Sequence, residues 1–180
     1  MKKYLKQFIK DIIPIIAGML IALFINNWNE NRKDAKYIDQ IFASITKEFK
    51  ESNKNISETL PKQKMLLDTL NFYKNDETLS IFDIVVKAKG INVPIIRMNA
   101  WKAISNSRIE LIDYQKLSLL AKIEEGKNIL RMKTQKITDF TYSNLNDRSI
   151  GKKHIMSILV SDIINSEKSI QNEIKKIINK

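Results

Sequence analysis

Residues 12–25 read IIPIIAGMLIALFI, a run without a charge, and Lys2, Lys3, Lys6 and Lys10 crowd its N-terminal side. The run is a membrane anchor, a cleaved signal peptide or the core helix of a soluble bundle, and the fold turns on which. Fourteen helical residues at about 1.5 Å each cover about 21 Å of a hydrocarbon layer about 30 Å thick. The flanks supply the rest. Phe8 and Ile9 extend the run backwards and Asn26 and Asn27 extend it forwards, while the Lys10 ammonium can snorkel to the headgroups. Tyr4 and Trp28 then stand about 36 Å apart along a helix, near the two levels where aromatic belts form. The nine Ile, Leu and Phe residues of the run favour insertion by about 4 kcal/mol in total. Pro14 costs little so near the helix start, where Asp11 can cap free N–H groups.

A signal peptide needs small residues at a cleavage site. Here the run passes into Asn26-Asn27-Trp28-Asn29-Glu30, with no Ala-x-Ala pattern in place. The sequence therefore predicts a basic flank over residues 1–11, an uncleaved transmembrane anchor over 12–28 and a body over 29–180. Four lysines precede the anchor, while Arg32, Lys33 and Lys36 follow it. By the positive-inside rule this small excess puts the N-terminus in the cytoplasm and the body outside it.

The body carries the period of helices. Ile38, Phe42, Ile45, Phe49 and Ile56 fall at alternating four and three spacing, interrupted by Ser52, the stripe of a helix burying one side against partners. Traced back, the same phase reaches Ala35 and Trp28, so the anchor runs on into this stripe as a stalk. A long helix is predicted over about 33–74, kinked near Pro61. Asn75-Asp76-Glu77 marks a turn. Ser80 with Asp83 signals a helix start and Gly90 a helix end, so short helices occupy about 80–106, one of them carrying Trp101. Asp113 caps a helix over about 114–145 through Leu117, Leu120, Ile123, Leu130, Ile137 and Phe140. Asn146 to Ser149 and Gly151 form a loop, and a last helix over about 152–178 repeats the pattern at Ile155, Leu159, Ile163, Ile170, Ile174 and Ile177. The reading is all-α: one transmembrane helix continuing into a helical bundle. The stripe through Ile38 to Phe49 packs either within the monomer's bundle or between chains.

The net charge of +11 is spread along the chain, and Lys outnumbers Arg by 26 to 5. Base readout favours the bidentate Arg fork, so this is no nucleic-acid signature. There is no Cys and a single His, His154, read as solvated. Metal sites need several converging ligands.

Residues Ala17 to Glu30, AGMLIALFINNWNE, resemble the anchor of a family of uncharacterised bacterial single-pass membrane proteins that read close to GILIALQINNWNE. Trp101 to Ser107, WKAISNS, is similar to that family's aromatic-x-x-leucine-x-x-serine stretch. The chain departs at Phe24, where the family often has Gln, and at Pro14. The resemblance implies a bacterial inner-membrane location and a helical body, and it brings no known activity.

No catalytic constellation stands out. Glu124 and Glu125 are adjacent and read as solvated. Asp162 reads as a seam-edge residue. No Gly-x-Ser-x-Gly elbow, phosphate loop or dinucleotide fingerprint occurs. No enzyme activity and no cofactor are expected. The lipid bilayer is one partner. A protein partner is another, in the reading of a membrane-tethered adaptor or scaffold. The patch with the composition of a binding hot spot is Trp101 with Arg97, Lys102 and Arg108; the same residues could instead line a cleft for a small anion in an extracytoplasmic sensory module. Against both stands simple packing of Trp101 at the bundle's end. A signalling output is hard to place in the eleven or so residues before the anchor, which speaks against sensing without a partner. Gly18 and Ala22 form a small-xxx-small pair suited to helix contact in the membrane and so to a homo-oligomer.

Overall fold

Helices need one apolar stripe each to pack, and the long helices of this chain carry theirs at a heptad period. The computed structural model describes the backbone of residues 2–179 and the side chains of residues 8–179. It is all-α: α1 (Lys2–Phe72), α2 (Ile81–Lys87), α3 (Asn99–Ser105), a 3-10 turn at Ile109–Leu111, α4 (Tyr114–Ser143) and α5 (Ile150–Ile178). The chain divides into two compact units, Met1–Phe42 and Ala43–Lys180.

The first unit consists of the early part of α1. Its large apolar side chains from Phe8 to Trp28 are 47% to 73% exposed, apart from the half-buried Ile12. Among the described residues, α1 is the one helix long and apolar enough to cross a membrane, and its most apolar window is wholly unburied.

In the second unit, the buried positions of α1 are Ile45, Phe49, Ser52, Ile56, Thr59, Gln63, Leu66 and Leu70, an unbroken alternation of four and three. Such a period keeps one seam facing its neighbours along the helix. The seam holds its phase across Pro61, and α1 remains helical there. The long helix runs through Pro61 as expected: the proline ring lies on the exposed side, and burial of Leu66 and Leu70 holds the following turns in register. Ser52 does not interrupt the seam either. Ser52 is fully buried, with its hydroxyl bonded to Glu48 O at 2.8 Å.

The seam of α4 runs through Leu120, Ile123, Leu130, Ile137 and Thr141. That of α5 runs through Lys153, Met156, Val160, Ile163, Glu167, Ile170 and Ile174. Leu159, Ile163, Ile170 and Ile174 are buried as expected, whereas Ile155, also expected inside, is 43% exposed. Residues 155–164 are apolar on more than one face, so hydropathy alone does not choose the phase. Gly151 lies inside α5, not in the preceding loop, and Ser149 is the N-cap residue. The α4 and α5 backbones run closely together along their length. At Gly126 an added Cβ would stand 2.9 Å from Ile170 Cγ1, so the missing side chain permits that approach.

Local signals act as physical chemistry requires. Ser80 and Asp83 form a reciprocal capping box on α2. The Asp113 carboxylate accepts from Gln115 N and Lys116 N at the start of α4. At the end of α2 the amide of Lys89 reaches Val86 O and that of Gly90 reaches Val85 O, a Schellman arrangement. The left-handed residue at its first position is Lys89, with φ 61°, and Gly90 follows with φ 91°.

Candidate functional site

Three places on the chain carry chemistry beyond packing. The first is the apolar stretch of α1 expected to be an anchor. Lys10, Ala22 and Trp28 are exposed, Trp28 by 60%. A Cβ on Gly18 would meet nothing within 4 Å, so the Gly18–Ala22 face is open to close approach. The side chain of Tyr4 lies outside the described residues.

The second place is the junction around Trp101. Residues 90–98 form an extended strap without a strand partner, and its backbone groups need other partners. The side chains of α1 provide them. Gln63 Nε2 donates to Asn92 O at 2.9 Å. Ile95 N donates to Asn55 Oδ1 at 2.7 Å, and Arg97 N donates to Ser52 Oγ at 2.9 Å. Ala100 N, in the first turn of α3, donates to Glu48 Oε2 at 3.3 Å. As the strap advances, its partners step back along α1, so it lies antiparallel to that helix. The ladder fixes α3 and with it Trp101.

Trp101 is 3% exposed, and its indole Nε1 donates to Glu124 Oε2 at 2.7 Å. The ring therefore belongs to the interior, and Glu124, expected in solvent, is its partner. Arg97 is exposed and pairs with Glu51 at 3.1 Å. Arg108 pairs with Glu110 at 3.8 Å, and Lys102 is exposed. The four residues are not one aromatic-and-cationic surface patch: the aromatic is inside and its neighbours are outside.

No family model, curated protein or solved structure matches the chain.

The third place is the set of polar residues on the helical seams, which the apolar periodicity does not single out. Lys153 is 1% exposed. Its ammonium donates to Tyr73 O at 3.3 Å and to Asp76 O, just past the carboxyl end of α1, where a cation is favoured. Its charge also reaches Asp76 and Asp147, whose carboxyls are held below the usual range chiefly by hydrogen bonds from Thr78 and Ser149. Glu167 is wholly buried and accepts from Gln63 Nε2 at 2.6 Å. Burial pushes its carboxyl up to about 7, with the Gln63 bond acting in the opposite direction. Lys127 lies at a seam position of α4 and lines an open cleft of about 210 Å³ with Val93, Pro94, Ile96, Leu130 and Arg131. Burial, then the charge of Lys102, holds its ammonium below the usual lysine range. Among the described residues no group of three or more acidic or imidazole side chains converges as a metal site would require.

One end of the second unit is exposed and apolar. There α1 stops, α2 begins and α4 passes into α5, joined by bonds from Ile81 N to Asp147 O and Phe82 N to Leu145 O. Phe72 is 80% exposed, Tyr142 73% and Phe82 52%. A single-sequence reading has one signal for this end: aromatics at the last turn of one helix and the first of the next.

Proposed function

We propose that the protein is a membrane-tethered helical adaptor whose body binds another protein. The likeness of Ala17–Glu30 to the anchor of a bacterial membrane-protein family belongs to this reading, as does a location in the inner membrane with the N-terminus cytoplasmic and the body periplasmic. The observation that carries it is a division of labour within the chain. The large apolar side chains of α1 from Phe8 to Trp28 are exposed, apart from the half-buried Ile12, as a lipid-facing helix requires. The body buries its own seams and still leaves Phe72, Phe82 and Tyr142 open. Aromatics held outside a completed core are the composition enriched at protein interfaces. This moves the docking surface from Trp101 to the opposite end of the helices that hold it.

The test is affinity purification from solubilised membranes. A stoichiometric protein partner should be recovered with the wild type and lost with Phe72→Asp or Phe82→Asp, while the thermal midpoint of the body changes little. Retention of the partner by both variants would remove this end from the interface. The cleft beside Lys127 and Arg131 supports the second reading, a small anionic ligand held by cations over an apolar floor. A thermal shift with small carboxylates, lost in Arg131→Ala and seen where no protein co-purifies, would put that reading first. Self-association through Gly18 and Ala22 is compatible with either.

A further inference from the structure

The seam between α1 and α5 holds two buried groups that a docking role does not use. The two N–H bonds of the Gln63 amide go to Asn92 O at 2.9 Å and to Glu167 Oε1 at 2.6 Å. Asn92 O is a main-chain acceptor, so this also fixes which amide atom is nitrogen. The other two atoms of the pair, Gln63 Oε1 and Glu167 Oε2, are both buried and have no hydrogen-bond partner. Gln63 is 2% exposed and Glu167 is not exposed at all. Two orphaned acceptors on groups already joined by one bond lack a single hydrogen between them. A carboxylate would leave a full charge in an aliphatic seam with one donor in place, a costly arrangement. A carboxylic acid supplies the missing hydrogen, because an acid and a primary amide can pair through two parallel bonds.

We propose that Glu167 is held as the carboxylic acid, with Oε2–H donating to Gln63 Oε1, and that this proton makes the α1–α5 seam a pH-responsive joint. Loss of the proton leaves a buried charge and two facing acceptors, and the seam loosens. The charged residues flanking this point are Lys62 and Lys64 on α1, Lys89 ahead of the strap, Lys127 and Arg131 on α4, and Lys168 on α5. All but the half-buried Lys127 are exposed. What sets the acidity of Glu167 is burial, which raises its pKa to about 7, and the Gln63 bond, which lowers it. The folded-state value lies above the ordinary 4.5. The stabilising contribution is therefore complete below about pH 4.5, declines as the unfolded chain alone ionises, and is gone above about pH 7.

Thermal unfolding of the full chain in detergent micelles, from about pH 5 to about pH 9, reads this directly. The wild-type midpoint should fall as the pH rises from about 5 to about 7 and level off above that. Glu167→Gln replaces the O–H donor with an N–H donor and keeps both bonds, so its midpoint should lack that fall and exceed the wild type's on the alkaline side. A variant curve parallel to the wild type's would overturn the proposal. If the variant does not fold, the wild type decides by infrared titration. One protonated-carboxyl carbonyl band should disappear near neutrality, far above the range of exposed carboxylates, and no band titrating there would equally overturn it.

Discussion

Lys153 illustrates how one side chain closes a long helix. Past the end of α1 the chain must turn within a few residues to enter α2, and the carbonyls of that turn need donors. The lysine reaches across from the first turn of α5, and its ammonium bonds Tyr73 O and Asp76 O. Its aliphatic stem completes the seam beside Met156. Lys153→Met keeps the stem and removes the donor, so two buried-side carbonyls lose a charged hydrogen-bond partner. Unfolding in denaturant should show a loss of about 2 kcal/mol. Lys153→Ala should lose more, because the stem goes too. Equal stability of wild type and methionine variant would mean that water serves those carbonyls as well. Hydropathy could not have found this lysine, since a Lys next to a helix start looks like a solvated one until the carbonyls it serves are known. The same holds for Ser52, Gln63 and Glu167. Each falls on a seam at the correct heptad position, and each is polar because a backbone or side-chain group opposite needs a partner. Ser52 reads as an interruption of the apolar stripe, and Lys153, Gln63 and Glu167 carry no apolar signal, until the groups they serve are known.

Among the elements, α4 and α5 pack with their backbones close, and Gly126 is the residue that allows it. Glycine inside a helix costs about 1 kcal/mol relative to alanine, so an exposed Gly126 would be stabilised by substitution. Here the new methyl would stand 2.9 Å from Ile170 Cγ1, an atom on a stiff, β-branched, buried side chain. Overpacking of this kind costs about 1–3 kcal/mol, which outweighs the propensity gained. Gly126→Ala should therefore destabilise the body by about 1 kcal/mol. In an Ile170→Ala background the clash is gone, and the same substitution should become stabilising. That reversal of sign in a double-mutant cycle is the measurement that matters, because a distant or independent pair would give the same effect in both backgrounds. Element identity and order were readable from the sequence: Ser80, Asp83 and Asp113 announce their helix starts by local hydrogen bonding, which needs no tertiary knowledge. The phase of α5 was legible at Leu159, Ile163, Ile170 and Ile174, which are buried as expected, but not in its first turns. Apolar side chains at 155, 156, 158, 159 and 160 leave two candidate faces there, and packing against the other seams decides that Met156 and Val160 go inside and Ile155 outside. The strap at 90–98 was equally hidden, because its hydrogen bonds come from α1 residues far away in sequence.

For the whole molecule, the decisive property is the compartment in which the body lies. The chain supplies two opposing indicators. Lys2, Lys3, Lys6 and Lys10 favour retaining the N-terminus in the cytoplasm, while Arg32, Lys33 and Lys36 weakly favour retaining the body there. Long domains translocate largely regardless of their own charge, so the body's lysines do not weigh against export, and the four-to-three excess is the ground for proposing that the body lies outside. The absence of native cysteine gives a clean background for a test. Ser169 is exposed on α5 and makes no seam contact, so Ser169→Cys should leave the fold unchanged. In intact cells with a permeabilised outer membrane, a membrane-impermeant thiol reagent should label that cysteine fully. Labelling that appears only after the inner membrane is opened would reverse the orientation. The result also constrains the proton on Glu167. A body facing outward meets the pH of its surroundings, which can cross neutrality, whereas a cytoplasmic body sits in a buffered medium where the joint would seldom change state.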